Sequence, residues 1–292
     1  MSHHASLRER VIGEHGVVML IGAADTGKTT LGKELARDAL AAGRTTAFVD
    51  ADIGAATVGP PACVGLTVIE SAAGLQTLGR ADELRFVGST KPEGVVLPHT
   101  VAAAAMVERA KRSADFIILD TTSVVAGVVG QTLKYHLCEL TQPALVIAMQ
   151  RGNEMEPIIG MIKRFLGLRV ARTQPKPTQP ILDPIARNEL LSKEFANAFS
   201  GTVDRWRVQP NVFAPTLPEG FDLSRLHEML VGVQGTNGRC LGLGVLEYHN
   251  EVLRVVTPHG EHMNGLRLGS MRVNLDRFTT TRVRLRELFF SI

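Results

Sequence analysis

The sequence predicts an α/β fold: a doubly wound, mostly parallel sheet followed by a small C-terminal β module. Three observations predict it. Between residues 17 and 149 short apolar runs alternate with helical patterns, and a strand that returns to pair in parallel needs a helical crossover. A glycine-rich loop separates the first apolar run from the first long helical pattern. Beyond Gly235 the period changes to two, as in half-buried strands.

Taken in order, residues 17–21 form a buried strand, 29–41 a helix, 46–49 a second strand and 84–87 a third. Residues 101–112 read as an Ala-rich helix. The runs "FIILD" (116–120) and "ALVIAM" (144–149) are two further strands, with a helix at 131–140 between them. Residues 155–166 form one helix, 172–184 a Pro-rich connection, and 185–199 a helix with Asp183 as N-cap and Pro184 at its first position. The strands "GLGVLEY", "VLRVVTP", "LRLGSMRVN" and "TRVRLREL" complete the tail. The expected division is a domain of residues 1–232, with a lid region at about 151–207, and a β-rich module of 233–292.

Composition narrows the class. With 292 residues, 45% hydrophobic and 21% charged, the chain can bury one large core plus a small appendage. A net charge of +3 does not by itself imply nucleic acid or an anionic membrane. The basic residues are nevertheless concentrated: residues 151–212 hold ten against six acidic ones, either a solvated face or a phosphate-contacting surface. Cys63, Cys138 and Cys240 lack metal-site or disulfide spacing and read as reduced, buried thiols. No apolar signal core or membrane-length run occurs, so the sequence predicts a cytoplasmic protein without membrane association.

The decisive motif is Gly22-x-x-x-x-Gly27-Lys28-Thr29, set between a strand and an amphipathic helix. Its glycines let backbone N–H groups turn around a β-phosphate at the helix N-terminus. Lys28 reaches the β/γ oxygens, and the Thr29 hydroxyl ligates Mg²⁺. Asp25, Thr26 and Thr30 are placed with them around the nucleotide, which makes this a sheet of P-loop NTPase type binding ATP or GTP. No G-x-G-x-x-G fingerprint supports a nicotinamide cofactor. Asp52 follows the second strand and Asp120 ends "FIILD", so both acids stand at C-terminal strand ends where α/β sheets bind ligands. Either can hold Mg²⁺ or accept a proton from an attacking hydroxyl. For Asp50 a turn-forming role is as well supported as a functional one.

"GAADTGKTT", "VDADIGAATVGPP", "FVGSTKPEG", "ILDTT", the "LK" at 133–134 and "LRVVTP" occur in an order that resembles the polynucleotide 5′-hydroxyl kinase family of pre-mRNA 3′-end formation, tRNA splicing and ribosomal RNA processing. The resemblance implies transfer of the ATP γ-phosphate, with Mg²⁺, to the 5′-hydroxyl of RNA or DNA, and hence a nucleic-acid partner. It implies that Asp52, in the family's D-x-G element, activates the hydroxyl, and that Ser89 and Thr90 contact phosphates or the acceptor end. It also implies a lid arginine, Arg187, that neutralises charge developing on the phosphoryl group. The chain departs from the family in several places. Ala55 replaces the usual Gln, Ser123 and Val124 replace a Gly-Trp pair that stacks a base, a second lid arginine is missing, and nothing corresponds to the eukaryotic N-terminal domain. Three readings follow: an active kinase, an ATP-binding scaffold that has lost efficient transfer, and a partitioning or metal-insertion ATPase. The last usually carries a Lys where this chain has Ala23.

Overall fold

The computed structural model of the protein describes residues 3–76 and 78–290. The chain forms two compact units. One takes the chain up to Gly59, Val64–Glu83 and Lys91–Leu182; the other takes Pro60–Cys63, Leu84–Thr90 and everything from Asp183 onward.

The first unit contains α1 (His3–Ile12), β1 (Gly16–Gly22), α2 (Lys28–Ala41), β2 (Thr46–Ala51) and β3 (Cys63–Ile69). β4 (Glu83–Phe86) passes into the second unit after its first residue, and the chain returns for α3 (Val96–Ala110), β5 (Phe116–Thr121), α4 (Gly127–Thr141), β6 (Leu145–Met149), α5 (Glu156–Met161) and β7 (Val170–Thr173). Its strands lie in the order β3-β2-β5-β1-β6-β7. All neighbours are parallel except β2 and β3. Both faces of such a sheet are covered, so the central strands are continuously apolar rather than alternating. Val18, Leu20, Phe48, Ile118 and Ile147 meet Leu31 and Leu35 of α2 in one core. Each such buried side chain contributes roughly 1.5–3 kcal/mol.

The doubly wound α/β fold is as the sequence predicts, with differences in detail. β3 was not expected; it turns back antiparallel on β2 because residues 52–62 supply a loop instead of a crossover helix. β7 occupies the start of the expected Pro-rich connection. The helix expected at 155–166 is α5 followed by a π turn, Ile162–Leu166, which Gly167 ends in the left-handed conformation at φ 64°.

The second unit contains α6 (Pro184–Ala198), β8 (Asp204–Arg207), β9 (Phe213–Ala214), β10 (Met229–Gln234), β11 (Cys240–His249), β12 (Val252–Thr257), β13 (Gly265–Val273), β14 (Thr280–Arg282) and α7 (Leu285–Phe290). β10 pairs antiparallel with β11 and β13, and β12 continues from β11 to β8. Successive residues of β10 face opposite cores: Val231 packs with Leu246 and Val255, and Leu230 with Val245, Phe86 and Phe195 of α6. The second core fixes the unit's extent. The expected boundary at 232/233 would cut β10 in half, and α6 buries its apolar face in this unit; the compact units divide at Leu182/Asp183. The lid region expected at 151–207 is thereby split between them. Asp183 caps α6 as expected, accepting from the Ala186 N–H at 2.8 Å.

Candidate active site

The site is built in the first unit at the C-terminal ends of β1, β2 and β5. Parallel register places Leu20, Asp120 and Asp50 in one row across these strands. The chain leaves β1 at Gly22 into the loop that opens α2. A Cβ on Gly22 would lie 2.6 Å from the Met149 carbonyl oxygen, and Gly27 takes φ 85°, so both positions require glycine. α2 has no side-chain cap at Gly27. Its first backbone N–H groups therefore point into the loop, where an anion's charge meets the positive end of the helix. Thr26 closes the loop on itself by donating to the Ala23 carbonyl at 3.0 Å. Asp25 accepts from the Leu182 N–H at 3.0 Å, and Arg151 donates to the Ala24 and Asp25 carbonyls, so the segment after β6 and β7 is laced to this loop. Thr30 is exposed in the first turn of α2.

Lys28 is buried and donates to the Gly22 and Ala23 carbonyls at 2.9 and 3.0 Å. Thr29 donates its hydroxyl to Asp120 Oδ2 at 2.5 Å, while Asp120 Oδ1 is buried with no partner among the described residues. A hydroxyl beside a carboxylate with one unsatisfied oxygen is a hard-oxygen donor set of the kind Mg²⁺ takes when substrate phosphates complete its shell. The residues present therefore fit the ion.

Burial pushes the Asp120 carboxyl up to about 6, against the pull of Lys28 and the Thr29 hydroxyl. Burial likewise raises Asp52, with Lys28 opposing. Asp50 is raised well above the carboxylate range by burial and by the charges of Asp120 and Asp52. Its oxygens accept the backbone N–H groups of Asp52, Thr57 and Val58. Asp50 therefore holds the turn that aims Asp52. Asp52 accepts from Gly54 and Ala55 with Oδ1 at 3.1 and 3.3 Å, and its Oδ2 has no donor among the described residues.

Because Asp120 ionises near 6 in the folded chain and about 4 unfolded, its contribution to stability is fully present below about pH 4 and is lost as pH rises to about 6. Asp120→Asn is therefore expected to stabilise the nucleotide-free protein at pH 7.5 by on the order of 2 kcal/mol, and to leave it unchanged at pH 4. Urea unfolding at the two pH values checks this; equal effects at both would show that the Asp120 charge is not the cause.

Lys134 carries a role that sequence spacing does not reveal. It is fully buried, and its ammonium donates to Thr121 Oγ1, Thr122 O and Thr122 Oγ1 at 2.9, 2.7 and 3.1 Å. Thr121 in turn donates its hydroxyl to the Leu20 carbonyl at 2.7 Å, tying α4 through β5 to the strand that enters the phosphate loop. Burial lowers Lys134 to about 7, with the charge of Lys28 adding to the effect. The sequence signal for it is the "LK" at 133–134, carried by the family resemblance alone.

The remaining expected residues belong to the second unit. Ser89 is buried and Thr90 half-buried after β4, and Arg187 is half-buried in the first turn of α6. Cations expected to line a nucleic-acid surface are partly committed elsewhere. Arg172 makes a two-pronged pair with Glu156 at 2.8 and 2.9 Å, and this pair holds the Glu156 carboxyl down at about 2. Arg169 pairs with Glu14, and Lys176 with Glu34. Cys63, Cys138 and Cys240 are buried and form no disulfide. No helix among the described residues is long and apolar enough to cross a membrane.

Residues 22–200 match the P-loop family of the mRNA cleavage and polyadenylation factor CLP1. The chain belongs to the CLP1 P-loop family. Its similarity to the polyribonucleotide 5′-hydroxyl kinase of Pyrococcus furiosus is 26% identity, spanning 89% of this chain and 88% of that protein. A kinase of the same name from Thermococcus kodakarensis is 27% identical over 88% of each chain. The solved structure of Clp1p in complex with a Pcf11p segment superimposes with a TM-score of 0.72 at 16% identity, covering 92% of this chain and 79% of that one, a likeness of fold. Of the site residues that the sequence suggests, the loop glycines, Lys28, Thr29, Asp52 and Asp120 are those that the first unit gathers.

Proposed function

We propose that this CLP1-family protein is an ATP-dependent polynucleotide 5′-hydroxyl kinase. The observation that carries the reading is the convergence of Lys28, the Thr29–Asp120 pair and the open Oδ2 of Asp52 on one sheet edge. Its length-spanning similarity to archaeal proteins named as polyribonucleotide 5′-hydroxyl kinases supports it.

In this mechanism the loop amides and Lys28 hold the β- and γ-phosphates, with Lys28 exchanging its carbonyl partners for phosphate oxygens. Thr29 and Asp120 hold Mg²⁺, which when bound neutralises charge on the phosphate oxygens. Asp52 Oδ2 takes the proton of the 5′-hydroxyl as its oxygen bonds to the γ-phosphorus. The bond from phosphorus to the β–γ bridging oxygen breaks, and ADP leaves. Burial, which raises Asp52, makes it a better proton acceptor than an exposed carboxylate, and the charge of Lys28 opposes that rise. Asp50 and Lys134 act indirectly by holding the chain on either side of the reacting groups. Ser89 and Thr90 are assigned to the acceptor end.

Arg187 is assigned to the transition state. A cation that meets charge only as it develops lowers the barrier rather than the ground state. Arg187→Ala is therefore expected to reduce kcat by roughly 100-fold or more while changing ATP affinity by less than about threefold. Equal losses in the two would make Arg187 a ground-state ligand, and no loss would remove it from the chemistry.

Incubation with γ-labelled ATP and 5′-hydroxyl oligonucleotides of RNA and DNA tests the whole reading. A labelled 5′ end is the expected result. Tight ATP binding without label on any strand would instead favour the nucleotide-binding scaffold.

A further inference from the structure

Positions 123 and 124, just beyond β5, are Ser and Val and offer no ring, yet aromatic surface stands open a short way along the next helix. α4 begins at Gly127, just beyond β5 and Asp120. One side of it, together with Met161 and Phe165, lines an open cleft of about 450 Å³ that includes Val128, Tyr135 and His136. From Val128 to Tyr135 the helix rises about 10 Å, so the cleft starts near the Asp120 strand end and leads away from it.

Three properties set this cleft apart from a casual hydrophobic spot. Phe165 is 67% exposed and Val128 is 81% exposed, although neither is needed to close the core. Phe165 sits on the π turn Ile162–Leu166, where the wider winding displaces side chains from the usual helical face. Ile158, Ile159 and Ile162, all buried, anchor that segment from below. The Tyr135 and His136 rings stand edge to face at 5.4 Å on the opposite wall. Finally, Lys163 and Arg164 are exposed immediately before Phe165, whereas Arg169, Arg172 and Lys176 are spent on Glu14, Glu156 and Glu34. Two carboxylates oppose them: Glu139 sits 2.9 Å from His136 Nδ1, and the charge of Lys163 is felt by Glu156.

Exposed aromatic rings beside exposed cations are the combination that single-stranded nucleic acid requires, because each base offers a π-face and each phosphate a negative charge. A protein partner held through apolar contact alone would use the same surface but gain nothing from the flanking lysine and arginine. Duplex is excluded by the same logic, since its bases are already stacked.

We infer that the cleft between α4 and the π turn is the track for the single-stranded body of the acceptor, with a base stacked on Phe165 and its phosphates met by Lys163 and Arg164. The inference rests on the kinase reading and names how that reading's substrate is gripped beyond its reacting end. It assigns Phe165 to substrate affinity alone. Recognition through stacking and phosphate contact is tolerant of base identity.

The test measures a fluorescent 5′-hydroxyl oligoribonucleotide of about eight nucleotides, within the span such surfaces cover, binding to the full chain at several salt concentrations. Phe165→Ala is expected to weaken binding roughly 5- to 100-fold, as loss of one stacked base does, and Phe165→Trp to restore it. Lys163→Glu with Arg164→Glu is expected to weaken binding further and to flatten its salt dependence. ATP affinity stays unchanged in all of them, since the side chains are on the surface and away from the phosphate loop; this also serves as the control for folding. In the kinase assay, Phe165→Ala raises KM for the oligonucleotide but leaves transfer to a nucleoside 3′-monophosphate untouched. Phosphate transfer that persists with oligonucleotide affinity and KM unmoved in every variant would overturn the track while leaving the kinase reading intact. Absence of transfer to any acceptor in the unaltered protein would instead overturn the kinase reading. Equal binding of a double-stranded probe and the single strand by the unaltered protein would also count against the track.

Discussion

Lys28→Ala is expected to weaken ATP binding by at least roughly 100-fold and to leave no measurable phosphate transfer. Two charge-assisted hydrogen bonds to phosphate are lost, together about 3 kcal/mol or more. The backbone amides at the start of α2 carry only partial charge and cannot by themselves neutralise three or four phosphate charges. The structure adds a reason to expect a clean result. Lys28 is bound to the carbonyls of Gly22 and Ala23, both within the loop, so removing it disturbs the loop locally without opening the core beneath, where Leu31 and Leu35 pack. Isothermal titration with ATP and Mg²⁺, beside thermal unfolding of the nucleotide-free protein, separates the two effects. Affinity and turnover close to those of the unaltered chain would refute the phosphate-loop assignment.

The strand-loop-helix unit around Lys28 was legible because both its signals are local. A run of apolar residues too short for a helix, then glycines, then a helical period can be read without knowing any partner. The same holds for Asp120 and for the Asp183 cap of α6. Other parts depend on partners distant in sequence. β3 carries no alternation, and nothing in its residues says that it will turn back on β2 rather than cross over. The boundary at Leu182/Asp183 is set by Phe195 packing with Leu230, Val245 and Phe86, contacts between residues up to about 110 positions apart in the chain. Lys134 was visible only as part of a resemblance; its burial against Thr121 and Thr122 needs β5 and α4 folded together. Counting charge across residues 151–212 likewise overstated the available positive surface, because the carboxylates that spend Arg169 and Lys176 come from Glu14 and Glu34, outside the segment counted.

Asp52→Asn separates the proposed roles of the two strand-end acids. The turn after β2 needs an acceptor at Oδ1 for the Gly54 and Ala55 N–H groups, and the asparagine amide oxygen supplies one. Shape and ATP affinity should therefore survive. What disappears is the basic oxygen opposite it, so kcat is expected to fall roughly 10²- to 10⁴-fold, the usual scale for a lost general base. The pH profile gives a second, independent readout. In the unaltered enzyme the rate should rise with pH as Asp52 ionises, and this limb should lie above the ordinary carboxylate range because burial raises the group. In Asp52→Asn that limb should vanish from the residual activity. Asp120→Asn is expected to behave differently: it keeps the acid limb and raises the Mg²⁺ concentration needed for half-maximal rate, and excess Mg²⁺ partly restores turnover, because one donor oxygen to the ion is weakened rather than a proton acceptor removed. Steady-state kinetics across pH and Mg²⁺ concentration for the two variants decides between them. A nearly silent Asp52→Asn beside an Asp120→Asn that no Mg²⁺ concentration rescues would reverse the assignments, making Asp120 the proton acceptor and leaving Asp52 as the residue that shapes the turn.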